Sequence, residues 1–463
     1  MSNNIPCPDD KMNFSDIYFL GINCLLGAGI FLTPGKAYSA VGVNLFWILI
    51  ICAVLAIILS LVFAEMAGIF TRTGGVYVYA STAWGKFIGF NTGFMRFLAA
   101  CIALAVQVTA LPSILASAFG IDFSIYGKMV VSLGFLLLLC LLNLISVKIV
   151  SLFTRLSSKV IIVVLAGCIL VSFVNFQPAN LYSVQGLLSA AGSPVPELWK
   201  LNSSQFSAGF LLLFYAFVGF ENIGVAAQDM RNPTRDVPRA IICVLATVAV
   251  IYILLFTSVQ GNMGGEKLVK AENAVADSVG LVLGEWGTLV VSLGSVVALF
   301  GIGLAMLFSG PRNIVPLASD KFFPESVGAN NSRGVPAVSI VIMSCISAFF
   351  VILGNIISSE VFVLLVQIAT VCRLLQYMVV AAGIFRIRKK FKSTWTMPFA
   401  IALIPLCLLV CVYLFIQLPS VVLFISLGVI IFSLIVWYFY SAPRIRRLQL
   451  REIEEDSPAS GSA

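Results

Sequence analysis

The chain has no histidine, and charged residues make up only 10% of its 463 residues. A soluble domain of this length carries roughly a quarter charged residues. Without histidine, a proton relay must run through carboxylates, water or backbone. Eleven cysteines occur singly, with no C-x-x-C pair; all but Cys7 lie in apolar runs, Cys24, Cys52 and Cys101 among them. That pattern argues against structural zinc and a disulfide framework, and reads as reduced cysteine acting as a small apolar residue. The longest polar stretches run only about 25–30 residues, too short for a soluble catalytic domain. With no metal-ligand cluster and no nucleophile constellation, neither an enzyme nor a bound metal or cofactor is expected. The first twelve residues are polar, with Asp9, Asp10 and Lys11 and no basic n-region or cleavage site, so no removable signal peptide is expected.

What the chain does have is apolar length. Apolar residues make up 60% and the mean hydropathy is +1.05. Runs of mainly apolar residues cover 14–39, 43–69, 86–112, 127–147, 153–176 and 205–228. Six more cover 237–259, 278–309, 335–356, 359–384, 396–417 and 419–440. Each is long enough to cross ~30 Å of hydrocarbon. The expected fold is therefore an all-α integral membrane protein of twelve spans. Loop charge orients it. With a cytoplasmic N-terminus, 21 of the 28 Lys and Arg face inward, five face outward, and Arg96 and Arg373 fall inside spans. This positive-inside bias puts both termini, 1–13 and 441–463, in the cytoplasm. It also accounts for the net charge of +8 without nucleic acid. The basic stretch from Arg444 to Arg451 suits anionic headgroups.

Two places inside these runs resist a continuous helix. Gly27-Ala28-Gly29-Ile30-Phe31 puts two glycines mid-run, where lipid offers no replacement hydrogen bonds. Tyr215-Ala216-Phe217-Val218-Gly219-Phe220-Glu221 sets a glycine beside a carboxylate in the sixth run. Broken helices at membrane depth are tolerated where the freed backbone faces protein, a cavity or a ligand. Breaks in runs one and six suggest two inverted repeats of five spans, 14–176 and 205–384, with the breaks facing each other near the midplane. Half-helix N-termini suit a carboxylate, and unwound carbonyls suit an ammonium or small cation. An α-amino acid carries one of each. The plainer account of Gly27 and Gly29 is close helix packing.

These residues are similar to motifs of the amino acid–polyamine–organocation (APC) superfamily. Gly27 to Phe31 resembles its first-helix G-[STA]-G-I-F. Tyr215 to Glu221, with Ala226-Ala227-Gln228-Asp229 and Arg231-Asn232-Pro233 through Pro238, resembles its sixth-helix stretch and following loop. Glu65 with Gly74-Gly75-Val76-Tyr77 matches its second-helix Glu and turn. Arg312, Asp320, Phe323-Pro324 and Pro336 echo the loop after span eight, and Arg373-Leu374-Leu375-Gln376-Tyr377 looks like a tenth-span motif of some bacterial members. The resemblance implies a leucine-transporter-type five-plus-five fold with two added C-terminal helices, 396–440. It also implies alternating-access transport of amino acids or their relatives. It assigns the substrate carboxylate to the loop of Gly27, Ala28 and Gly29, beside Ile30. The amine goes to carbonyls of Tyr215, Ala216 and Val218, near Gly219, and Tyr215 or Phe217 is the gate. One feature departs from the pattern. Several proton-coupled members carry a lysine deep in span five, where this chain reads Val163 to Gly167 and has Lys159 nearer the cytoplasmic end.

Three charges lie well inside spans. Glu221 is the only deep carboxylate, and it serves either proton coupling or hydrogen bonding to freed backbone at the break. Arg96 and Arg373 lie ~15–20 Å deep at 1.5 Å per residue. Each must pair with Glu221, carbonyls or water, or bind the anionic side chain of an acidic substrate. Glu65 reads as a helix-end or ion-pair residue. The basic loop Arg231 to Arg239 reads as topology signal, with Pro238 opening the next helix. The expected function is a secondary amino acid transporter of the plasma (bacterial inner) membrane, a proton symporter or an exchanger. The alternatives are a polyamine or organic-cation carrier and, from another class, a transporter-like sensor or scaffold subunit. One deep acid makes a polycation site less attractive, and a sensor would normally append a signalling domain.

Overall fold

The computed structural model describes residues 13–448, apart from 27–28, 71–73, 146, 183–199, 226–229, 272, 332–333, 358–360 and 394. The chain is built from helices: α1 Phe14–Leu25, α2 Gly29–Val41, α3 Leu45–Ile69, α4 Val76–Trp84, α5 Lys86–Phe119, α6 Ile125–Ile145, α7 Val147–Val174, α8 Ser203–Phe217 and α9 Glu221–Val225. There follow α10 Pro233–Lys270, α11 Ala274–Leu283, α12 Glu285–Ser309, α13 Val315–Ser319, α14 Glu325–Gly328, α15 Ala337–Ile357, α16 Val361–Lys390, α17 Ala400–Ile416 and α18 Ser420–Val436. Among the described residues, ten helical stretches are long and apolar enough to cross a membrane, with α1, α11 and α17 as shorter apolar helices beside them.

Side-chain polarity sorts these helices into a centre and a rim. The stretches containing α5, α8, α12 and α16 are the most buried. They carry the polar groups that need partners, such as Arg96, Gln107 and Arg373. The rim helices α6, α15 and α18 turn Val130, Leu137, Phe349, Ile356 and Phe424 outward. No aqueous surface would favour that arrangement; a lipid one does.

Local chemistry sets the helix ends. Asn202 and Gln205 form a reciprocal capping box at the start of α8: Gln205 N donates to Asn202 Oδ1 at 2.7 Å and Asn202 N to Gln205 Oε1 at 3.1 Å. α10 starts at Pro233, earlier than the expected opening at Pro238. The reason is that Pro233 already supplies the fixed φ and the absent N–H favoured at the first helical position. Gly264, at φ 69°, turns its far end.

Glu65 is the ion-pair residue anticipated for it, and it is buried. Arg388 Nε and Nη2, from the end of α16, donate to its two oxygens at 2.7 Å each, and Met397 N donates to Oε2 at 2.7 Å. This fork ties α3 to α16 and to the chain leading into α17. Glu65→Ala removes all three charge-assisted bonds. It is expected to lower stability by about 1.5–3 kcal/mol, the range for one bond to a charged group, since Arg388 is partly exposed and regains water. Melting of the detergent-solubilised protein measures it.

Candidate functional site

Both suspected interruptions occur. α1 stops at Leu25, Leu26 leaves helical geometry at φ −79°, ψ 81°, and α2 starts at Gly29. Gly27 and Ala28 lie outside the described residues. Pro34, inside α2, lacks the N–H that would otherwise bond the Ile30 carbonyl. In the sixth run, α8 ends at Phe217, Val218 is extended at φ −80°, ψ 137°, and Gly219 takes φ +134° before α9 begins at Glu221.

The two breaks touch. A Cβ built on Gly219 would come 2.3 Å from the carbonyl oxygen of Cys24, at the end of α1. Only glycine allows that approach at that φ. Tyr252 on α10 spans the contact: its hydroxyl is 2.8 Å from the Leu25 carbonyl oxygen and 3.0 Å from that of Ala216, and it donates its single proton to either. Carbonyls freed at both breaks thus share one donor. α1 is held from its other side by Asn23, whose Nδ2 donates to Ser158 Oγ at 2.6 Å, to Ser157 Oγ at 3.2 Å and to the Thr154 carbonyl, all on α7.

Between the breaks lies a cavity of about 10 Å³, walled by Cys24, Leu25, Ile30, Tyr215, Ala216 and Val218. Gln107 of α5, Tyr252, Ile302 and Met306 of α12, and Arg373 of α16 complete it. That volume holds about one water molecule. Of the residues singled out in the sequence, Ile30, Tyr215, Ala216, Val218 and Arg373 reach the cavity. Gly219 lies beside it as the contact point. Phe217 does not line it; its ring packs edge-on against Tyr252 at 5.2 Å. Tyr252 and Gln107 are contributions missed along the chain, although a polar group inside an apolar run is the signal that could have raised them. Cys24, Leu25, Ile302 and Met306 carry no such signal.

The deep charges divide unequally. Glu221 is ion-paired through one oxygen and hydrogen-bonded through the other: Arg96 Nη2 is 2.9 Å from Oε1, which accepts no hydrogen bond, while the Tyr377 hydroxyl at 2.6 Å and the Gly219 amide at 3.0 Å donate to Oε2. Arg96 Nη2 also donates to Asn222 Oδ1 at 2.5 Å. The carboxylate therefore satisfies the backbone N–H freed at the break, as well as neutralising α5's arginine. Arg373 is as deeply buried, at 2% exposure. Among the described residues it has no carboxylate partner, and its Nε makes no hydrogen bond. Its guanidinium stands 5.9 Å from the centre of the Tyr215 ring, a cation–π distance.

A sequence model of the amino acid permease family matches residues 12–440. An uncharacterised transporter of Mycobacterium tuberculosis is 29% identical over 356 residues, 73% of each chain. A second from that organism is 26% identical over 341 residues, 70% of each. Human cationic amino acid transporter 4 is 26% identical over 400 residues, 83% of this chain and 60% of its own.

Proposed function

The chain belongs to the amino acid permease family of multi-pass membrane transporters, and on that premise we propose that it carries amino acids across the membrane by alternating access. The observation that supports this most directly is the meeting of two interrupted helices around one small cavity. A zwitterion presents a carboxylate and an ammonium a few ångströms apart, and facing breaks offer a group suited to each. The loop of Gly27, Ala28 and Gly29, which precedes α2 in the chain, takes the carboxylate, as the family resemblance implies. The carbonyls of Tyr215, Ala216 and Val218 take the ammonium. Ile30 and the Tyr215 ring wall the pocket, with Tyr215, rather than Phe217, as the gate. Gly219 lets the two breaks approach.

A cavity with room for one water admits an amino acid only when its walls separate, which is the motion alternating access supplies. The proposed frame is five-plus-five and leucine-transporter-like, with residues 14–176 and 205–384 as inverted repeats. Two more spans, 396–440, make twelve, and both tails are cytoplasmic in a plasma or bacterial inner membrane. Breaks in the first and sixth runs and the one-sided loop charge support that frame. Proton symport would run through Glu221, the one acid in the cluster, with Arg96 releasing it; exchange needs no such step. A polyamine carrier is disfavoured, because Glu221 is already committed to Arg96, Tyr377 and Gly219.

Reconstitution in liposomes with labelled amino acids, with and without a pH gradient or internal substrate, tests this. Uptake above protein-free vesicles is expected for at least one amino acid, and none above that level rejects the reading. Tyr252→Phe removes the donor shared by the Leu25 and Ala216 carbonyls. With about 1–3 kcal/mol for a buried group left unsatisfied, initial uptake is expected to fall about tenfold at equal protein level.

A further inference from the structure

From the charge balance of the cavity we infer that the preferred cargo is an acidic amino acid, with Arg373 holding its side-chain carboxylate. This rests on the transport reading above and sharpens it. Among the described residues four charged side chains are buried: Glu65, Arg96, Glu221 and Arg373. Glu65 is matched by Arg388 and Glu221 by Arg96. Arg373 is the charge left over, and it lines the cavity.

A guanidinium cannot shed its proton to escape burial. Closed on nothing charged, the site keeps one surplus positive charge in a low-dielectric interior, an expensive condition that the Tyr215 ring offsets only in part. The net charge of the cargo decides how that balance changes on occlusion. A neutral amino acid leaves the surplus as it was, and a lysine- or arginine-like cargo doubles it. Aspartate or glutamate, at net −1, cancels it. The planar fork of arginine also matches a carboxylate in two parallel hydrogen bonds. Gln107, across the same cavity, adds an uncharged polar group and no competing acid. The surplus therefore selects against cationic cargo, although one relative bears the name of a cationic amino acid transporter.

The test uses the full chain in liposomes. Uptake of aspartate and glutamate is compared with asparagine and glutamine, which share their shapes without the charge, and with leucine and arginine. Each is run in chloride and in gluconate. The expected result is acid uptake at least ~10-fold above the matching amide, in line with a site whose polar group would otherwise be unpaired, and independent of chloride. In Arg373→Gln the acid-to-amide ratio falls toward one, whereas a merely structural loss lowers both alike. Arg373→Lys, which keeps the charge and loses the fork, retains an intermediate ratio. Equal uptake of acids and amides by the unaltered protein, or preference for neutral or cationic amino acids, overturns the inference and leaves the transport reading standing. Chloride-dependent uptake of neutral amino acids also overturns it, since Arg373 would then hold an inorganic anion. No uptake of any amino acid removes the transport reading itself.

Discussion

Gly219→Ala is expected to reduce transport to the level of empty liposomes. Two penalties fall on one methyl group. At φ +134° an L side chain is strained, a burden of about 1–3 kcal/mol. The methyl must also displace the Cys24 carbonyl, 2.3 Å away, and that atom is backbone at the end of a helix tied down by Asn23. Overpacking of this sort costs about 1–3 kcal/mol more. The break can relieve both only by moving α1 away from α8, which also pulls the Leu25 and Ala216 carbonyls off Tyr252. Gly134→Ala is the control. Its added Cβ meets nothing within 4 Å, and it lies inside α6, where alanine is the better helix former by up to about 1 kcal/mol. Uptake in that variant should match the unaltered protein, and its melting temperature should be equal or slightly higher. Normal uptake by Gly219→Ala would show that the two breaks need not touch.

Neutralising Glu221 is the second large effect, and its asymmetry is informative. Removing one member of a buried ion pair destabilises by about 3–5 kcal/mol. The cost here depends on which member goes. Glu221→Gln leaves Arg96 and Arg373 as two buried cations with no acid between them. Arg96→Met leaves Glu221 within the field of Arg373, one negative against one positive. Glu221→Gln should therefore lower the melting temperature more than Arg96→Met. The double variant, which restores the original surplus of one positive charge, should recover part of the loss. Equal effects of the two single changes would mean that Arg373 is too well screened to matter. Glu221→Gln also perturbs the site directly, because whichever way the amide turns, its NH2 meets a donor: Arg96 on one side, or the Tyr377 hydroxyl and the Gly219 amide on the other.

Some of this molecule was legible one residue at a time. Hydropathy marks membrane-length helices because every peptide group in lipid must be satisfied within its own segment. Gly219 marks a break because glycine's backbone freedom is a local property. The role of Glu65 as an ion-pair residue could likewise be anticipated from its place near a helix end. Pairings are another matter. Arg96 and Arg373 are the same residue type at similar depth, and nothing along the chain says which one Glu221 chooses. That depends on α5, α9 and α16 converging, which brings Arg96 to 2.9 Å from Glu221 and leaves Arg373 facing the cavity. Tyr252 bridges residues 227 and 36 positions away, a relation that no periodicity encodes. Helix and breakage follow from short-range sterics and backbone hydrogen bonding. The surplus charge in the pocket follows from which distant side chains packing brings within a few ångströms of one another.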